Sequence, residues 1–206
     1  MTVMTTSEAH APMPVAPAPR RHVALVGTVF AIGAGAMLIG GLLASYFGAR
    51  QNIQDQGGTW VDTAKLTLPN VPLAVTYVSL FMSSFTAQWA VSAIKLNDRR
   101  QAFTAMGVTL LLAAAFINGI TFCWAQVGAA AGDGGFGDHM YAVTAVHLLL
   151  VVGAIVLFTV MGFRALGGQF GPDNAEFVMS AAAFWHFVVV AGVAVWWCIW
   201  FLEGGP

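Results

Sequence analysis

The sequence predicts an all-α fold: a polytopic membrane helix bundle of five transmembrane helices with a cytoplasmic N-terminus. Three observations predict it. Only 8% of the 206 residues are charged while 58% are hydrophobic, and mean hydropathy is +0.77; a water-soluble domain carries about 25% charged residues. Five runs, 23–47, 71–94, 102–128, 140–163 and 177–202, contain no Asp, Glu, Lys or Arg. The segments between most of them are short, which folds each helix back against its predecessor.

Each run has 24 to 27 residues. A hydrocarbon core of about 30 Å needs roughly 20 helical residues at about 1.5 Å each, so every run is long enough to cross with some tilt. An isolated strand would leave its amides unpaired in lipid, so each run is read as a helix. Residues 22–206 then form one membrane domain, with no room for a soluble one. Residues 1–21 read as a flexible cytoplasmic tail, with Pro12, Pro14, Pro17 and Pro19 set among Ala and Thr. Arg20 and Arg21 before an apolar run resemble a signal peptide. The run is longer than the roughly 7–15 residues of a signal core and ends in no small-x-small cleavage pattern, so the first helix is expected to be retained.

Basic residues set the orientation. Arg20, Arg21, Lys95, Arg99, Arg100 and Arg164 fall on one side of the alternating spans, against Arg50 and Lys65 on the other. The richer side is cytoplasmic, which puts the N-terminus inside and the C-terminus outside. The balance of charge, −1 overall, suggests no nucleic-acid partner. Cys123 and Cys198 both fall within spans and read as free thiols rather than a disulfide framework. Gly33, Gly35, Gly40, Gly41 and Ala44 in the first span, and Ala113–Ala115 in the third, permit close helix approach. Trp60, Trp124, Trp185, Trp196, Trp197 and Trp200 read mostly as interfacial anchors.

Candidate chemistry is sparse. His147 and His186 are the ionisable groups well inside the spans, and such groups are costly in lipid unless they have a role. They suit haem or metal ligation, a proton relay, or hydrogen bonding between helices. Counted along their helices they differ in depth by roughly 10 Å, too far for one metal ion, and no intramembrane carboxylate completes a relay. His139, beside Asp138, reads as a solvated loop residue. Ser83, Ser84, Thr86 and Gln88 in the second span, with Asn118, Thr121 and Gln126 in the third, form polar stripes suited to bonding between helices. No phosphate loop, zinc-protease motif, CxxC or nucleophile elbow is present, and no pair of broken spans marks a transporter.

The run Trp185-His186-Phe187-Val188, opening a long aromatic final span, resembles the last helix of subunit III of the haem-copper (cytochrome c or quinol) oxidases. Met37, Gly41, Leu42, Tyr46, Phe47, Ala49 and Arg50 match that family's first conserved helix in its five-helix form, and His147 with Gly153 is similar to its His-bearing helix. Ser83-Ser84-Phe85-Thr86 agrees with the second span. The likeness covers about 23–202 in order. The chain departs from the family where charge would enter the membrane: the family Glu of the first helix corresponds to Gly35, the second His of the fourth helix to Leu150, and the Asp after Trp-His-Phe-Val to Val189. The Glu usual near Gly119 in the third is missing.

The resemblance implies a divergent, non-catalytic accessory subunit of a respiratory terminal oxidase in the bacterial cell membrane. It would support assembly, phospholipid binding and sustained turnover of O₂ reduction. The expected partners are catalytic subunit I, other respiratory subunits and membrane lipids, with haem and copper in the partners and no cofactor in this chain. Arg50, His147, Trp185 and His186 are the candidates for lipid contact or for shaping the cleft that holds lipid. The alternatives are a subunit III-like component of another complex, such as nitric oxide reductase, and a di-haem or haem b electron carrier.

Overall fold

The computed structural model describes residues 22–62, 64–132, 134–171 and 174–203. The expected flexible tail, with Arg20 and Arg21, lies outside the described residues. Five long helices follow one another: α1 (Val23–Asp55), α2 (Asn70–Lys95), α3 (Arg99–Val127), α4 (Gly135–Leu166) and α5 (Glu176–Val195), which runs directly into a π-helical turn, Trp196–Phe201. Among the described residues there is no strand. The helices α1, α3, α4 and α5 with its extension are long and apolar enough to cross a membrane. At 26 residues α2 matches them in length, but its Ser and Thr residues lower its hydropathy.

Two expectations about helix ends are corrected. α1 does not stop at Phe47 but continues to Asp55, which places Arg50 inside the helix and shortens the following loop. α4 begins at Gly135, so His139 is not a loop residue; it sits in the first turns of α4, half-buried. In both cases the charges that ended the apolar run are carried by one further helical stretch beyond the hydrocarbon.

Contacts at three levels show that α2 and α3 are antiparallel along their length. Thr76 lies against Gly119, the Thr86 and Thr109 hydroxyls share a hydrogen bond of 2.7 Å, and Trp89 Nε1 donates to Gln101 Oε1 at 3.1 Å. The turn between them is closed by Asp98, whose carboxylate accepts from Gln101 N–H at the start of α3. α5 lies between this hairpin and α1, and α4 packs on α5, α1 and α3.

α1 and α5 run parallel and are joined at both ends by carboxylates. At the start, Glu176 accepts from the backbone N–H of His22 at 3.1 Å and of Leu25 at 3.5 Å, which satisfies amides that a helix N-terminus leaves free. At the other end Glu203 meets Arg50 at 2.7 Å. Between these points α1 is lightly packed: its buried residues are Gly35, Ile39 and Tyr46. A side chain at Gly35 would meet the Phe187 ring at 2.8 Å, so the small residue is what lets α1 reach α5.

Gly119 is the tightest of these contacts. A Cβ there would meet the Thr76 hydroxyl and lie 3.0 Å from Thr76 Cβ, an atom fixed to the backbone of α2. Thr76 is itself held by its bond to the Pro72 carbonyl. Gly119→Leu must therefore separate α2 from α3. Overpacking of this kind costs about 1–3 kcal/mol or more. The expected result is a fall in melting temperature of the detergent-solubilised protein, while Gly107→Leu, where a Cβ meets nothing, leaves it nearly unchanged.

Candidate functional site

Polar side chains inside the bundle gather around α5 in two groups. On the α2 side, Trp185 Nε1 donates to Ser83 Oγ at 2.9 Å, and Ser83 in turn donates to the Leu80 carbonyl. One residue further along each helix, His186 Nδ1 meets Ser84 Oγ at 2.6 Å, and Nε2 meets Gln88 Oε1 at 3.2 Å. The amide oxygen can only accept, so Nε2 carries the proton and Ser84 donates to Nδ1. On the α4 side, His147 Nε2 donates to the Val188 carbonyl at 3.0 Å. Gly192 leaves the room for that imidazole: a Cβ there would meet its ring at 2.9 Å.

The two histidines are thus not brought together. Val188 and Gly192, which meet His147, face the opposite side of α5 from His186, at about 100° per residue, and their mean level is roughly 6 Å further along the axis. His147 is 1% exposed and packs edge-on against Phe116; His186 is half-buried at the surface. Among the described residues, no group of three or more His, Cys, Asp or Glu side chains could hold a metal ion.

Trp185 is 1% exposed, with its ring 4.7 Å from that of Phe158. It is a core residue rather than an interfacial anchor. Trp60 and Trp200 are also buried, whereas Trp197 is exposed and stacks on Phe201 at 4.3 Å. In the polar stripe of α2, Ser83, Ser84 and Thr86 bond to neighbouring helices as expected, and Gln88 does so from an exposed position. That of α3 does not: Asn118, Thr121 and Gln126 are exposed, and Thr121 satisfies its hydroxyl on its own backbone.

A second polar assembly escaped the sequence reading. At the ends of α1 and α5, Trp60 Nε1 donates to the Tyr46 hydroxyl at 3.0 Å, and Tyr46 donates to Glu203 Oε1 at 2.9 Å. Arg50 Nε lies 2.7 Å from the same oxygen, a close ionic contact outside hydrogen-bond alignment. The Glu203 side chain is 7% exposed and that of Arg50 31%. Phe136 and His139 of α4 pack on the Tyr46 and Trp60 rings. One carboxylate therefore ties the turn after α5 to α1 and, through Tyr46, to Trp60 in the loop after α1. In that loop, the Lys65 ammonium and the Ala64 N–H hold the Asp62 carboxyl below its ordinary range.

Residues 19–203 match the family described as cytochrome c oxidase subunit III. The chain belongs to that family. It is 29% identical to cytochrome c oxidase subunit 3 of Corynebacterium diphtheriae, over 94% of this chain and 95% of the relative. It is also 29% identical to a probable subunit 3 of Mycobacterium leprae, over 89% of this chain and 90% of the relative. The salmon subunit 3, from Salmo salar, is 29% identical over 77% of this chain and 63% of its own length. As a subunit III, the chain is a membrane-bound accessory subunit of a terminal oxidase, associated with other oxidase subunits.

Two positions singled out in the sequence meet in the packing. A Cβ at Gly35 would lie 2.8 Å from the Phe187 ring and 3.9 Å from Leu150. Gly35 and Leu150 are therefore neighbours in this subunit III, and the Phe187 ring fills the space beside Gly35.

The Glu203 assembly yields a direct test. Glu203→Gln keeps the shape and the bond from Tyr46 but removes the charge facing Arg50. Because Arg50 is partly exposed, solvent compensates much of the loss, and about 1–2 kcal/mol is expected. Thermal unfolding in detergent should register that drop, with faster proteolysis within 56–69, and Arg50→Lys should recover part of the stability that Arg50→Ala loses.

Proposed function

We propose that this subunit acts without chemistry of its own: it docks on the redox-bearing subunits of the oxidase, holds phospholipids against its helices, and so supports assembly and sustained reduction of O₂. Haem and copper belong, in this reading, to catalytic subunit I and its neighbours. The observation that carries it is the commitment of the intramembrane histidines. His147 is used on the Val188 carbonyl and His186 on Ser84 and Gln88, which leaves each with a structural bond to make and supports scaffolding over ligation.

The lipid role divides among the four candidates by exposure. Arg50 keeps a partly exposed cationic head at the level where phosphates lie, and we assign it the charge-assisted contact with a lipid headgroup. His147, Trp185 and His186 shape the helix faces against which lipid and partner pack. The light packing of α1 supports the same division, since a groove of about 360 Å³ runs between Gly27, Ala31, Gly153, Ser180 and Phe184, apolar and wide enough for part of an acyl chain.

The orientation follows from the basic residues. Lys95, Arg99, Arg100 and Arg164 share one end of the bundle, which we place in the cytoplasm of a bacterial cell, with the Glu203 end outside. A cysteine placed at Ala131 should react with an impermeant thiol reagent on intact cells; labelling only after lysis reverses the orientation.

The functional test uses His186→Leu in the whole oxidase. Loss of the Ser84 and Gln88 bonds loosens α5 from α2 without touching a reacting group. Initial O₂ consumption per assembled complex should stay near wild type, while the yield of complex, or the number of turnovers before inactivation, falls severalfold. Immediate loss of initial turnover with assembly intact would point to direct chemistry and end the accessory reading.

A further inference from the structure

The chain Ser84–His186–Gln88 opens onto an outward-facing groove of about 690 Å³ along the seam of α2 and α5, lined by Phe81, Val189, Val190, Val193, Trp197 and Cys198 as well as Ser84 and His186. Its walls include some of the exposed large apolar residues: Phe81 at 45%, Val190 at 67% and Trp197 at 48%. At its edge stands Gln88, exposed, with its Oε1 held by His186 Nε2. Its two amide N–H groups have no acceptor among the described residues.

Depth makes this arrangement informative. Gln88 lies five to six residues from the middle of the charge-free run 71–94, or roughly 8 Å from the bilayer centre, well inside a hydrocarbon half-layer of about 15 Å. Helical side chains lean toward the N-terminus of their own helix, which here is toward the centre. The bond from His186 stops the side chain from reaching for the headgroups. An unpaired amide donor in hydrocarbon costs several kcal/mol on the order of a lost hydrogen bond, and an acyl chain has no acceptor to offer; ester carbonyls lie at the headgroup boundary. Asn118 on α3 also faces outward, but its short side chain can turn back on its own helix.

We propose that the α2/α5 groove receives a transmembrane helix of another oxidase subunit, which presents a hydrogen-bond acceptor to the Gln88 amide and lays its apolar side over Val190, Val193 and Trp197. The inference rests on reading this chain as a subunit of that complex. The acceptor is a side-chain hydroxyl, amide oxygen or carboxylate, or a carbonyl freed at a helix kink. The groove supplies apolar packing area and Gln88 fixes the register, the division of labour that buried polar groups serve between membrane helices.

The test places a photo-crosslinking amino acid at Val190 or Val193 in the full-length chain, with Leu111 on α3 and Phe30 on α1 as other faces, and irradiates native membranes that contain the assembled oxidase. Val190 and Val193 should each give an adduct with one oxidase subunit, the crosslinked peptide mapping to a transmembrane helix with a polar residue. Gln88→Leu should lower that adduct per assembled complex about three- to tenfold, the range expected for one hydrogen bond between helices, while Ser84→Ala, which also removes a bond from His186 but keeps the Gln88 amide, should leave it near wild type. Adducts of phospholipid mass, no adduct from the groove, or protein adducts from Leu111 or Phe30 alone would overturn the docking face. If the chain still co-purifies with the oxidase in those cases, its role as a subunit stands and the inference alone fails; failure to co-purify removes the role itself.

Discussion

Hydrocarbon offers no hydrogen-bond partner, so each polar side chain that enters it must find one on a neighbouring helix or on its own backbone, and in this bundle α5 is where the neighbours meet. Trp185 reaches Ser83 and His186 reaches Ser84 on α2, while His147 comes from α4 to the Val188 carbonyl. Glu176 and Glu203 bind α1 at either end. Lipid gives little drive for apolar helix faces to associate, so packing and these bonds carry the assembly. Gly35 and Gly192 work with them, since a Cβ at either would meet a neighbouring side chain within 2.9 Å. Polar bonds choose the partner helix, and small residues let it approach.

The bonds also decide where the polar groups stand. His147, with Nε2 donated to a backbone carbonyl and the residue 1% exposed, has its imidazole held between α4 and α5. His186 differs, because it stands at the surface and passes its constraint to Gln88. The same side chain that locks α5 to α2 thereby fixes an amide pointing outward. Internal stability and an external face are coupled through one imidazole.

The helix count and class were legible because charge is excluded from hydrocarbon, and the gaps between charges therefore mark the spans. The ends were less legible. α1 carries Arg50 and Asp55 beyond the lipid without breaking, and a helix that leaves the membrane is continued by propensity and contacts rather than by hydropathy. The bonding of α2 through Ser83, Ser84, Thr86 and Gln88 could be anticipated from how many polar groups one span holds, but the outward turn of Asn118 and Gln126 could not, since a polar stripe does not say which neighbour it meets. The link between Arg50 and Glu203 did leave a signal. In an antiparallel series of five helices the first and last run the same way, so a cation ending the first span and an anion ending the last must emerge on one side. Tryptophan was misread for the opposite reason: amphipathic residues occur both at interfaces and in cores with a polar partner, and only the positions of Tyr46 and Ser83 place Trp60 and Trp185 in the second class.

The place where α1 meets α4 and α5 at Gly35 is built without a titratable side chain: its neighbours are Phe187 and Leu150. Gly35 and Leu150 adjoin across the α1, α4 and α5 contact, and Phe187 occupies the space beside Gly35. An imidazole or a carboxyl left alone at such a place would be a desolvated polar atom without a partner, which is costly in lipid. What remains at that place is a shape that brings α1 against α5, with nothing to titrate. A subunit built this way meets the rest of the oxidase through the surfaces that its helices hold in place.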